Sequence, residues 1–187
     1  ALVFSLMAAL ATLTSRNWMS TTRRDVESTR LGILKPLAMI TPFVVLVQYV
    51  LGGLVRHLGT ALYEHLGTAA IVSIFILAAG IAAQRTGQAW LRRAGWTLIA
   101  IVTVQVTLGI AAWITRFGLP MLGIVAVHHS PLQIIMRTSH AVVGVLTLMG
   151  SVVLALRVIR VAWLQAPSSA VAQAVDASRV PVQGGVG

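Results

Sequence analysis

The chain has 187 residues, of which 57% are hydrophobic and only 10% charged, with a mean hydropathy of +0.89. A soluble domain of this size would carry about 25% charged residues, so the composition excludes an ordinary water-soluble globule and predicts an integral membrane protein in contact with lipid. The formal net charge of +10 does not mark a nucleic-acid binder, because the cations fall in short segments between apolar runs and no aromatic-interleaved basic patch is present.

In chain order, residues 1–14 are apolar but shorter than the roughly 20 residues that cross a bilayer. They lack a basic leading region and a convincing cleavage site, so they read as the end of another membrane helix rather than as a signal peptide, and the chain is expected to begin inside that helix. Residues 15–35 are polar, with Arg16, Arg23, Arg24, Arg30 and Lys35, and are expected to form a cytoplasmic loop. The first full span covers residues 36–55, with Pro42 in its first turns, where it costs little. A connection over 56–64 leads to a second span over 65–83. A basic loop with Arg85, Arg92 and Arg93 precedes the third span, 95–114. Residues 116–137 form a longer, partly apolar connection. The fourth span, 138–156, is closed by Arg157 and Arg160. Residues 161–187 are expected to be a disordered cytoplasmic tail, small, polar and Pro/Gly-containing from 167 onward.

The fold class is therefore all-α. An integral membrane four-helix bundle over residues 36–160 is built from two similar hairpins and preceded by the end of another membrane helix. The hairpins are related by a weak repeat: Val47-Gln48-Tyr49-Val50-Leu51-Gly52 in span one matches Val104-Gln105-Val106-Thr107-Leu108-Gly109 in span three, and a histidine opens each following span. Small residues recur along the spans, as close helix packing in lipid requires. Eleven of the fourteen Lys and Arg lie after the partial helix, between spans two and three, and after span four. That side should be cytoplasmic. Arg56, Arg116, Arg137 and all five histidines (His57, His65, His128, His129, His140) fall on the opposite side.

The most informative pair is His65 and His140. Each stands at the start of a long apolar stretch, on spans that run in the same direction, so both imidazoles should lie at similar depth near one membrane face. Cysteine is absent, which excludes disulfides, iron–sulfur clusters and thiolate ligation within the chain and leaves histidine as the obvious strong ligand. An imidazole from each of two helices is what bis-histidine haem ligation needs. Gly67 and Gly144, close by in sequence, would let a flat macrocycle approach the backbone, or serve ordinary helix packing. Arg56, and less so Arg116 and Arg137, could pair with haem propionates; the alternative is interfacial snorkelling. His57, His128 and His129 read as surface histidines in connections. Glu64, the single acidic residue on that side, could orient an imidazole, carry a proton or be solvated. Gln48 and Gln105 read as interhelical hydrogen-bond formers.

At these residues the chain resembles the haem A synthase family. The stretch Gln48-Tyr49-Val50-Leu51-Gly52-Gly53-Leu54-Val55-Arg56-His57-Leu58-Gly59-Thr60-Ala61-Leu62 is similar to that family's helix end and following loop. Residues 105–112 resemble the matching helix of its second hairpin, and His140 stands where the family has its second ligand. The resemblance covers residues 36–160. It implies an eight-helix protein of two four-helix halves in the bacterial cytoplasmic (inner) membrane, with the C-terminus cytoplasmic. One half would act on haem O, oxidising a methyl group to the formyl group of haem A for cytochrome oxidase biogenesis. The other half would hold a haem b cofactor. By this resemblance the chain is the C-terminal half, with His65 and His140 as axial ligands of haem b, and its partners are haem O, haem O synthase and cytochrome oxidase assembly factors. It departs from the family in two respects. Glu64 directly precedes His65, whereas the family's catalytic glutamate lies three residues before a ligand histidine in the other half, and the loop with a cysteine pair is missing. Two other readings stay open: a membrane b-type cytochrome that only transfers electrons, and a non-enzymatic membrane assembly protein with incidental histidines.

Overall fold

The computed structural model describes residues 1–166; the expected tail from 167 onward lies outside the described residues. Seven α-helices follow one another: α1 (Leu2–Leu13), α2 (Arg16–Ser20), α3 (Arg23–Val26), α4 (Leu34–His57), α5 (Leu62–Gln84), α6 (Ala89–Phe117) and α7 (Pro131–Gln165). The last four are apolar and run to 24, 23, 29 and 35 residues. At about 1.5 Å per residue each exceeds the roughly 30 Å hydrocarbon thickness of a bilayer. The chain is thus a multi-pass helical membrane protein, the four-helix bundle expected of its sequence. In the bundle α4 packs on α5 and α7, and α6 packs on α5 and α7, leaving α5 and α7 on a diagonal. The apolar α1 lies against α7.

The helices begin and end outside the expected limits, for reasons visible in their first turns. The segment 15–35 is not a plain loop: Ser15 caps α2 by accepting from the Trp18 amide, and Asp25 closes a capping box with Thr22 at the start of α3. Helix α6 starts at Ala89, so Arg92 and Arg93 stand on its first turns rather than in a loop. Ser130 accepts from the Gln133 amide and Pro131 occupies the first helical position, so α7 starts seven residues before the expected 138. Helix α7 also continues through 157–165, where a tail was expected from 161. Pro42 lies more than two turns into α4, deeper than expected, where its missing N–H leaves the Ala38 carbonyl without the usual partner.

Packing is uneven along the bundle axis. Leu34, Ala38 and Val45 of α4, Ile76, Ala79 and Ala83 of α5, Leu91, Leu98 and Val102 of α6, and Leu154, Val158 and Val161 of α7 are all buried, and all belong to the end that carries most of the arginines. Helices α5 and α6 nearly touch there: a Cβ on Gly95 would lie 2.8 Å from both the Gly80 carbonyl oxygen and the Ala83 methyl. This is the small-residue contact through which helices gain van der Waals attraction in lipid. At the other end, over residues 46–71 and 103–146, only Gly118 and Gln133 are buried.

Gly95→Ala should therefore pry α5 from α6 and destabilise the bundle by about 1–3 kcal/mol. Gly67→Ala, with nothing within 4 Å of its added methyl, should be close to neutral. Unfolding in mixed detergent micelles would compare them, and equal stability of the two variants would contradict the tight α5–α6 contact.

Candidate functional site

The loosely packed end is where the two histidines meet. His65 lies in the first turn of α5, while His140 lies more than two turns into α7 and not at its start. The two rings nevertheless come to one level, because the second hairpin extends further past its glycine than the first. Their centroids are 6.3 Å apart and their planes perpendicular. They face each other across the bundle diagonal.

The repeated segment positions both rings. Gly52 of α4 stands against the His65 ring, where a Cβ would lie 3.1 Å from Cε1 and 3.6 Å from Nδ1. Gly109 of α6 stands against His140 in the same way, with 3.1 Å and 3.5 Å to the same atoms. The match shows that the hairpins share a local geometry as well as a sequence. The glycines that admit the rings are these two. Gly67 faces open space, and Gly144 faces the Gln105 side chain, whose Nε2 would lie 3.3 Å from an added Cβ. Gly67 and Gly144, expected to lie open to a flat group or to serve packing, are therefore not the glycines against the rings. The Leu-Gly pair at the end of the repeat carried the signal, since a residue four positions after a glutamine lies on the same helix face.

The glutamines do bond between helices, and their targets are the histidines. Gln48 of α4 places Nε2 3.0 Å from His65 Nδ1 and donates to the His65 carbonyl at 2.9 Å, while its Oε1 accepts from the Thr68 hydroxyl. The contact to Nδ1 changes with the ring's tautomer; the bonds to the carbonyl and to Thr68 do not. His140 is held differently. Its Nδ1 lies 3.1 Å from the Gln105 backbone carbonyl. A carbonyl only accepts, so the proton sits on Nδ1 and Nε2 presents a lone pair. The Gln105 amide nitrogen is 3.5 Å from that Nε2, at the outer limit of a hydrogen bond, and its Oε1 is buried with no partner. Thr68 had no signal in the sequence beyond its position one turn after Glu64.

The remaining expected residues are spread around the mouth of this end. Arg56 lies in the last turn of α4, one turn past Gly52, exposed and without a hydrogen bond or ion pair among the described residues. Arg137 lies one turn before His140 on the same face of α7, and Arg116 stacks on Phe117, 5.5 Å from its ring centre. His57 ends α4, and His128 and His129 lie in the 118–130 connection, away from the pair in sequence. The His129 amide donates to Gln133, which in turn donates to the Thr115 carbonyl and ties the start of α7 to the end of α6. Among the described residues, no three His, Asp or Glu side chains converge.

An imidazole nitrogen binds a first-row metal at about 2 Å, so two trans ligands put their ring centres roughly 6 Å apart, while a tetrahedral pair brings them to roughly 5 Å. The observed 6.3 Å lies close to that range, with no third side-chain ligand converging among the described residues. Comparison with known proteins adds no assignment: no family model, no curated protein and no solved structure matches the chain.

Gln48 ties α4 to α5 through three partners, whereas the Gln105 side chain makes one marginal contact. Gln48→Leu is therefore expected to destabilise the bundle by about 1–2 kcal/mol and Gln105→Leu by less, given the modest worth of polar contacts within membranes. Steric-trap unfolding in bicelles would read the difference, and the opposite order would refute the asymmetry.

Proposed function

We propose that the bundle holds a haem b between His65 and His140, and that it is the cofactor-bearing half of a haem A synthase-like membrane oxidoreductase. The observation that carries the reading is the pair of imidazoles 6.3 Å apart on diagonal helices, each backed by the Gly and Gln of the same repeat.

Three further features of the residues fit the group. The buried core stops short of the histidines, so a planar ligand displaces little packed apolar surface there. His140 donates from Nδ1 to a backbone carbonyl, the outer contact that orients a metal-ligating imidazole and raises its basicity. Arg56 offers an unpaired guanidinium at the mouth for a propionate, and Arg137 offers a second on the histidine's own helix. His65 and His140 would hold the haem, which would supply a one-electron carrier when bound. The chain's own part would be to present His65 and His140 as the ligands, to exclude water with half-buried apolar side chains, and to pair Arg56 and Arg137 with the propionates. In this reading the methyl-to-formyl oxidation of haem O takes place in a separate four-helix half, the membrane is the bacterial cytoplasmic one, and the arginine-rich end with the C-terminus faces the cytoplasm.

Reduced-minus-oxidised and pyridine haemochrome spectra of the purified protein test the ligand pair. One haem b per chain is expected, with loss in both His65→Ala and His140→Ala and a weakened but detectable complement in Arg56→Gln. Retention of full haem in either histidine variant would sink the assignment. The purely electron-transferring cytochrome is separated by turnover: the full-length protein should convert haem O to haem A, and a haem-replete protein without that conversion would favour the cytochrome.

A further inference from the structure

At the opposite, arginine-rich end, a cavity of about 330 Å³ opens between α6 and α7, with Asn17 of α2 at its edge. Its polar lining is Asn17, Arg93, Thr97 and Arg157; its apolar lining includes Trp90 and Val153. Arg157 is fixed there: Nη1 donates to the Trp90 carbonyl at 2.7 Å, and the guanidinium lies 5.7 Å from the Trp90 ring centre. Arg93 is exposed, and among the described residues its guanidinium has no hydrogen bond, its carbonyl alone accepting from the Thr97 hydroxyl at 2.9 Å. Two guanidinium groups thus line one cavity, and no carboxylate is among its lining residues. In α3 the Asp25 carboxylate accepts from the amide and hydroxyl of Thr22 at 2.8 and 2.7 Å. Those bonds hold its pKa below the usual carboxylate range. One turn past Arg157, Arg160 is sandwiched 5.5 Å from the Trp18 ring and 5.1 Å from the Trp163 ring, and its buried Nε has no partner.

We infer that this cavity is a binding site for a phosphate group, and specifically for the headgroup of an anionic phospholipid. The unbalanced positive charge selects an anion, and guanidinium groups suit phosphate oxygens. Three facts favour a lipid over a free anion. The cavity lies where α6 and α7 leave the apolar zone. Trp18, Trp90 and Trp163 mark that level as the membrane–water interface. Val153 and Ala94 continue the lining toward the hydrocarbon. Basic pockets between membrane helices take lipid headgroups for this reason. Arg157 and Trp90 form the fixed wall, Arg93 closes on the phosphate from the first turns of α6, and Asn17 can donate to it from α2. The occupant would thereby join α2 to the α6–α7 pair. This site is independent of the histidine pair.

Native mass spectrometry of the whole protein, titrated with phosphatidylglycerol or phosphatidylcholine, tests the inference. Phosphatidylglycerol should bind at least about fivefold more tightly, the effect of one interfacial arginine. Arg93→Gln should lose that preference while melting normally in phosphatidylcholine nanodiscs, and Arg85→Gln, outside the cavity, should keep it. Equal affinity for the two lipids, or the same loss in Arg85→Gln as in Arg93→Gln, overturns the site. Inorganic phosphate or glycerophosphate raising the melting temperature as much as phosphatidylglycerol would overturn the lipid assignment in favour of a free anion. Should Arg93→Gln fail to fold, Arg93→Lys is read instead, with a reduced but not abolished preference expected.

Discussion

Two imidazoles on diagonal helices can face each other at 6.3 Å only if nothing else fills the bundle between them, and much of the architecture follows from that constraint. A four-helix bundle packed tightly along its whole length would close the diagonal with leucine and valine. Here the close packing is confined to one end, where Gly80 and Gly95 let α5 and α6 approach to backbone contact. That end fixes the positions of the helices. The other end inherits those positions without having to pack them, and so can carry polar groups between its helices.

The hairpin repeat solves the same steric problem twice. A histidine pointing into a bundle collides with the neighbouring helix unless that helix lacks a side chain at the level of the ring, and Gly52 and Gly109 meet this need with distances that agree to 0.1 Å. The glutamine one turn earlier then reaches the imidazole or its backbone. The symmetry is broken in the polar contacts: Gln48 is fully engaged with His65 and Thr68, whereas the Gln105 side chain leaves an oxygen without a partner. One ring is therefore held by a side chain and the other by a backbone carbonyl. A group bound between them would meet two imidazoles of different basicity and different freedom to move.

The helical bundle, its hairpin pairing and the shared level of His65 and His140 were legible because they depend on long-range hydropathy and on a repeat, both carried by many residues. Helix limits were less legible. Arginines at 92, 93, 157 and 160 break an apolar run without breaking a helix, since their long stems let the charge reach the interface while the backbone stays helical. The start of α7 was written in Ser130-Pro131, a local capping signal that the partly apolar character of the preceding connection obscured. The role of Gly52 and Gly109 against the rings was not legible, because nearness in sequence is not nearness across a bundle: the glycine that meets a histidine ring belongs to the adjacent helix.

The division of labour between the ends also accounts for the distribution of charge. At the histidine end Arg56, Arg116 and Arg137 all lie outside the core. At the packed end two arginines are held by indoles and carbonyls instead, Arg157 on Trp90 and Arg160 between Trp18 and Trp163. Each guanidinium there is oriented by a rigid aromatic face, which lowers the entropy lost when an anion arrives. An arginine without such a support would sample many rotamers and interact with lipid only as a diffuse charge. The stacked geometry turns a general preference of basic residues for one membrane face into a site with a defined shape, and it does so with the helices that the glycine contact has already brought together.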